Sequence, residues 1–205
     1  SFSFQSYTSN FSIPRTVYLD LNGQTLTVAG TPITIPAGKG LTISDSMGNG
    51  TLDVSATTGA AFTVSGGSMT VTGGTINAGE SGTAFSVESG TLTVTGGKVT
   101  GAVQGDTTNI TIEGGTFTDD VAEYLPEGMG QDSITGEITV SGDAEASIGK
   151  RGYLTLEEAL EKATSGDVIL LRKNVELDDT LTINSTKSGI TIDGAGLYTI
   201  SPSSS

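Results

Sequence analysis

Carboxylates are the side chains this sequence supplies for chemistry. It carries 23 acidic and 9 basic residues, a formal net charge of −14, and no histidine, cysteine or tryptophan. Asp45, Asn49 and Asp53 stand out because they sit in and around SDSMGNGTLD (44–53), the longest loop of the first half. Oxygen ligands offered along one loop suit calcium, a hard cation that takes carboxylate and amide oxygens. Two carboxylates about 5–9 Å apart across a groove would instead suit glycoside hydrolysis, Asp45 and Asp53 sharing the acid and base roles. A solvated loop accounts for the same residues, and all three readings stand on the sequence.

The composition also excludes chemistry. Disulfides, thiolate nucleophiles, a zinc site and a serine–histidine–acid relay all lack their residues. Nucleic-acid binding needs clustered Lys and Arg, as does adsorption to an anionic membrane or an acidic glycan, and residues 1–148 hold only Arg15, Lys39 and Lys98 against fifteen acids. Lys98 with Glu113 reads as a sugar-contacting pair or as a surface ion pair of small energetic weight. Asp119, Asp120 and Glu123 cluster where the repeat pattern ends, and capping of the next turn explains Asp119 or Asp120. Asp193, in ITIDGAG, fits a turn carboxylate bonding to local backbone. Gly66-Gly67 is not a phosphate loop, since no Lys-Ser/Thr pair follows it. No stretch is long enough to span a membrane.

The elements that must position these residues are short strands in a degenerate repeat. Residues 61–78 read AFTVSGGSMTVTGGTINA and 84–101 read AFSVESGTLTVTGGKVTG, the same register 23 residues on. A third copy, VQGDTTNITIEGGTF (103–117), follows at a spacing of 18. Three short strands per copy, each with one or two apolar side chains on one face, predict a parallel β-helix, a solenoid whose coils stack roughly 4.8 Å apart. Phe62 over Phe85, Met69 over Leu92 and Ile76 over Val99 should form internal stacks, with Thr63, Thr70, Thr93 and Thr111 pointing outward. The paired glycines mark corners. An antiparallel sandwich of hairpins is the competing fold, but hairpins need only alternate strands to recur, whereas here a whole three-strand motif recurs.

Along the chain, residues 1–16 read as an N-terminal arm and 17–130 as a β-helix unit of about five coils. Val121–Gly130 forms a helical turn leaving the last coil, with Tyr124 and Leu125 over its open end. Residues 131–149 connect, and the soft segment SGDAEAS (141–147) is the best linker. In residues 150–205 Thr155 and Glu158 have capping-box spacing, and Leu156, Ala159, Leu160 and Ala163 give one apolar face, predicting a short capping α-helix near 155–164. Further short strands follow, so 150–205 reads as the helix-capped start of a second β-helix unit. Ser1 and the serine-rich end Ser203–Ser205 read as cut points of a longer protein, compatible with a signal peptide and an anchor outside it.

SIGKRGYLTLEEALEKATSGDVILLRKNVELDDTLTI (147–183) and ITIDGAG (190–196) resemble the opening of pectate-lyase-like β-helix units in large secreted proteins of Gram-positive gut bacteria. YLDLNGQTLTV (18–28) and IEGGTFTDDVAEYLPEGM (112–129) resemble the first and last coils of such a unit. The resemblance implies an all-β, right-handed parallel β-helix, export, and a place in a modular cell-surface protein. It does not imply one activity, because similar units occur in polysaccharide-degrading enzymes and in adhesins. Lyases of this fold need a carboxylate cluster for calcium and a basic residue to take a proton, and here no basic cluster faces a carboxylate cluster.

The expected function is therefore a non-catalytic structural or adhesive module of a secreted or surface-displayed bacterial protein. The alternatives are a polysaccharide-acting lyase or glycoside hydrolase, and a calcium-dependent carbohydrate-binding module. The expected partners are glycans or surface proteins, with end-to-end stacking on adjacent units; no nucleic acid, no membrane insertion and no obligatory cofactor are expected. Phe62, Phe85 and Phe117 fit the interior, which leaves Tyr7, Tyr18, Tyr153 and Tyr198 as candidate exposed rings. An ice-binding face is disfavoured, since the outward positions are mixed and the coil length varies.

Overall fold

Alternating aliphatic and β-branched residues interrupted by turns give only short strands, and each must find a neighbour for its backbone N–H and C=O groups. In this computed structural model, which describes residues 2–3, 11–30, 32–183 and 186–203, most strands find it one coil earlier and one coil later. The chain forms two compact units, Ser1–Leu125 with Asp132–Ile138, and Pro126–Gln131 with Thr139–Ser205.

The first unit is an all-β, right-handed parallel solenoid. After β1 (Phe2–Ser3), the first coil holds β2 (Phe11–Ser12), β3 (Val17–Asp20) and β4 (Thr25–Gly30). The second holds β5 (Ile33–Pro36), β6 (Gly40–Ser44) and β7 (Thr51–Thr57). The third holds β8 (Ala60–Val71), which serves two faces, and β9 (Thr75–Asn77). The fourth holds β10 (Thr83–Val94) and β11 (Lys98–Thr100), and the fifth β12 (Ala102–Gly105), β13 (Ile110–Ile112) and β14 (Thr116–Phe117). Three ladders result: β2-β5-β8-β10-β12, β3-β6-β8-β10-β13, and β1-β4-β7-β9-β11-β14. Neighbouring strands within them pair in parallel.

Register places like over like. Phe62 pairs with Phe85, Met69 with Leu92 and Ile76 with Val99, all buried. Each such side chain removed from water contributes about 1.5–3 kcal/mol, so these rows are the main stabilising feature of the unit. The residues between them face outward, where Thr63 lies beside Ser86 and Thr70 beside Thr93. Residues 4–10, Tyr7 among them, lie outside the described residues.

After the fifth coil the helical turn is a single 3-10 turn, Ala122–Tyr124, with Asp120 Oδ1 accepting the Ala122 N–H at 2.9 Å. Tyr124 is buried against the last coil, and its hydroxyl lies 3.4 Å and 3.5 Å from the Val103 and Gly105 carbonyl oxygens. Burial, followed by the neighbouring Glu123, pushes its phenol up from the usual range.

The short strands β15 (Met129–Gln131) and β16 (Ile138–Val140) fall where the two units exchange chain. The second unit then holds β17 (Ala146–Ile148), β18 (Arg151–Tyr153), α1 (Leu156–Lys162), β19 (Val168–Leu171), β20 (Val175–Leu177), β21 (Thr191–Asp193) and β22 (Ile200–Pro202). Parallel pairing of β19 with β21 and of β20 with β22 continues the solenoid pattern. Strand β17 departs from it, running antiparallel to both β18 and β19. It belongs to the segment that reads as a soft linker. Its small residues instead serve close packing: Ala146 is buried with Leu156, Ala159 and Leu160 of α1 in one apolar cluster.

Helix α1 begins as its sequence predicts. Thr155 Oγ1 accepts the Glu158 N–H at 3.1 Å, and Leu156, Ala159, Leu160 and Ala163 are all buried. It stops where Asp167 Oδ2 accepts both the N–H (2.7 Å) and the hydroxyl (2.9 Å) of Thr164. Lys187 Nζ donates to the Leu160 and Glu161 carbonyl oxygens at its C-terminal end.

Candidate functional site

The corner after β6 is where the candidate carboxylates meet backbone. Ladder pairing of β3 with β6 sets Asp20 beside Ser44, so the turn after β3 lies against the turn after β6. Asp45 Oδ1 accepts the Gly23 N–H of the earlier coil at 2.7 Å, while Oδ2 accepts the Gly50 N–H of its own loop at 2.5 Å. Asp20 answers in the other direction. Its Oδ1 accepts the N–H of Asn22 and that of Ser46, each at 2.9 Å, so it grips the later coil. Two carboxylates thus clasp two adjacent turns reciprocally.

Accepted N–H bonds stabilise the ionised form. The Gly23 N–H, then that of Gly50, hold the Asp45 carboxyl below the usual range, against the opposing pull of desolvation and of Asp20. The Ser46 N–H and hydroxyl, then the Asn22 N–H, do the same for Asp20. A glycosidase acid must keep its proton near neutrality, and both of these carboxyls are shifted the opposite way.

Glycine is required at position 50. A Cβ there would lie 2.5 Å from Leu21 Cβ and 2.8 Å from Asp45 Cγ. The loop can close over the corner only because residue 50 has no side chain.

Of the three residues proposed as calcium ligands, Asn49 is exposed in the loop and Asp53 lies on β7, in the row Thr27–Asp53–Asn77. Asp53 Oδ1 accepts the Ser55 hydroxyl (2.7 Å), the Ser55 N–H (3.2 Å) and the Asn77 amide (3.2 Å). Asp45 bonds to Gly23 and Gly50 whereas Asp53 bonds to Ser55 and Asn77, so the geometry sets Asp45 with Asp20 at the corner and Asp53 with Asn77 on the strand row. Among the described residues no group of three or more His, Cys, Asp or Glu side chains is arranged to hold a metal. Asp20 escapes a reading of the loop alone because it lies 25 residues earlier. Aligning VYLD (17–20) over LTIS (41–44) as neighbouring strands is the signal that finds it.

Among the described residues Lys162 forms an ion pair with Glu161 at 3.5 Å, and Lys98 forms none with Glu113. Asp193 Oδ1 accepts the Ala195 N–H at 2.7 Å, a local turn bond. Of the candidate rings, Tyr18 is 81 % exposed and Tyr198 36 %. Tyr153 is buried, a correction to its expected exposure: its ring joins the apolar cluster around α1, and the Arg151 guanidinium sits 5.3 Å from its centroid.

Tyr18 heads a row on the outer side of the second ladder. Tyr18 pairs with Thr42, Thr42 with Thr70, Thr70 with Thr93, and Thr93 with Thr111. The row offers one ring and four hydroxyls at roughly 4.8 Å steps across five coils. Comparison with protein-family models, with curated proteins and with solved structures finds no match for the chain.

Proposed function

We propose that this chain is a structural and adhesive module of an exported bacterial surface protein, using its second ladder to hold a glycan chain. The row Tyr18–Thr42–Thr70–Thr93–Thr111 carries the reading. A stacked ring with evenly stepped hydroxyls matches what a polysaccharide presents, an apolar sugar face beside regularly spaced donors and acceptors. The rest of the ladder is a rigid, buried stack suited to spacing and display. The resemblance to pectate-lyase-like surface units supports export in the same direction.

A microarray of plant, host and microbial glycans, run with and without calcium, tests it. Saturable binding is expected, weakened about tenfold by Tyr18→Ala, the size of effect that removing an aromatic anchor produces. A folded protein that binds nothing in either condition removes adhesion and leaves a spacer. Calcium-dependent binding that Asp53→Asn abolishes would favour Asp45, Asn49 and Asp53 as cation ligands. A bound polymer that is shortened would favour a polysaccharide-acting enzyme.

A further inference from the structure

The sequence contains two Asn-Gly dipeptides, Asn22-Gly23 and Asn49-Gly50, which are the steps where an asparagine most readily loses its amide. In that reaction the glycine nitrogen, once its proton passes to solvent base, attacks the asparagine side-chain carbonyl carbon. A ring C–N bond forms, the bond to Nδ2 breaks, and ammonia leaves. Water then opens the imide to aspartate or, through the other carbonyl, to isoaspartate. Glycine favours the step because it places no side chain in the way of the attack.

Both dipeptides lie at the same corner, and one side chain controls both nucleophiles. The Gly23 N–H donates to Asp45 Oδ1 at 2.7 Å and the Gly50 N–H to Asp45 Oδ2 at 2.5 Å. We propose that Asp45 protects Asn22 and Asn49 from deamidation by holding the N–H of the glycine that follows each. An N–H bonded to an anion is harder to deprotonate, and a nitrogen tied to that carboxylate, across coils for Gly23 and within the loop for Gly50, is not free to swing onto its neighbour's carbonyl carbon. A carboxylate, with an unperturbed pKa of about 4, is itself too weak a base to take an amide proton.

The fold cannot remove the hazard by changing the glycines. Residue 50 has no room for a Cβ, and Gly23 has a φ of 71°, with Met47 Cβ 3.1 Å from where a Cβ would sit. Asn22 has a φ of 48°, in the left-handed region that asparagine tolerates better than most residues. The labile steps are thus built into the corner, which becomes a modification site whenever the clasp opens. An isoaspartate at either step would lengthen the backbone between two turns that are held in register.

The test incubates the native chain and the Asp45→Ala variant, which removes both acceptor oxygens, at mildly alkaline pH and follows each asparagine by peptide mass spectrometry. In the folded variant, conversion at Asn22 and Asn49 should rise roughly tenfold, the order expected from losing a hydrogen bond to a charged group. Asn77 and Asn109 serve as internal references, because the Ala78 N–H donates to the Thr100 carbonyl and Ile110 lies in the β10–β13 ladder, both independent of Asp45. A folded variant in which Asn22 and Asn49 convert no faster than in the native chain overturns the proposal, and so does one in which they slow. Two measurements on the unaltered protein hold whether or not the variant folds. Conversion at both sites should be far slower in the native chain than in the guanidinium-unfolded chain, and the Gly23 and Gly50 amides should be protected from hydrogen exchange. Equal conversion in the two states, or exchange at unfolded-chain rates, overturns it.

Discussion

Phe62 and Phe85 occupy the same inward position in successive coils, with ring centroids 5.8 Å apart and planes tilted by 30°. Neither ring is exposed. Replacing Phe85 by Ala deletes one ring from a row that cannot collapse without breaking its ladder. The variant should lose about 3–5 kcal/mol, read from the denaturant midpoint. Phe85→Leu should lose less, since it keeps most of the volume and forfeits chiefly the ring–ring contact. A loss below about 1 kcal/mol for Phe85→Ala would mean that the row relaxes, contrary to close-packed stacking.

Backbone approach at the corners makes a second prediction. Gly90 has a φ of 87°, and a Cβ there would lie 2.1 Å from the Gly67 carbonyl oxygen of the neighbouring coil. Gly59 has a similar φ of 82° with nothing within 4 Å of the added atom. Gly90→Ala should therefore unfold or severely destabilise the solenoid, while Gly59→Ala should cost only the strain of a left-handed alanine, about 1 kcal/mol. Thermal unfolding of the pair separates steric approach from conformational strain. Equal Tm losses would show that φ alone matters.

The inward rows were legible because each is a local alternation repeated at nearly constant spacing, so the register of AFTV over AFSV and of MTV over LTV can be read directly. Helix α1 was legible for a similar reason, since its cap and its apolar face lie within nine residues. The Asp20–Asp45 clasp was not. It joins a strand end to a loop one coil later, and a carboxylate beside a turn looks the same whether it bonds inside its own loop or across coils. Strand β17 was missed because alanine and serine carry little pattern, and only the close approach of α1 shows why small residues are needed there. Tyr153 misled because a tyrosine suits either a wet face or a buried cluster, and the choice depends on neighbours that are distant in sequence.

Acid should weaken the fold through carboxylates that accept N–H bonds. Asp20, Asp45, Asp106, Asp132 and Asp167 are all held below the usual range, with backbone or hydroxyl hydrogen bonds as the leading cause in each case. A lowered folded-state value means that the unfolded chain takes up the proton first. The stabilisation is then fully present above the unfolded value, about pH 4, and is lost as pH falls through the lower folded values. With no histidine in the chain, the denaturant midpoint should be flat between about pH 5 and pH 8. Asp45→Asn and Asp132→Asn should each reduce the fall below about pH 4. A midpoint that declined from neutrality downward would point to groups other than these.

Thr155 gives a prediction confined to the second unit. Its hydroxyl satisfies the Glu158 N–H, one of the donors that a helix start leaves without a partner inside the helix. Helix α1 has seven residues, too few to be stable alone, so it persists by burying Leu156, Ala159 and Leu160. Losing the cap should loosen that packing before it reaches the coils. Thr155→Ala should cost about 1 kcal/mol, whereas Thr155→Ser, which keeps the acceptor, should cost little. Hydrogen exchange distinguishes a local effect from a global one. Faster exchange is expected at the Ala159 and Ala163 amides, which donate to the Thr155 and Ala159 carbonyls, with none at Leu92 or Val94 in the first unit. Acceleration in both sets would show that the two units unfold as one cooperative body.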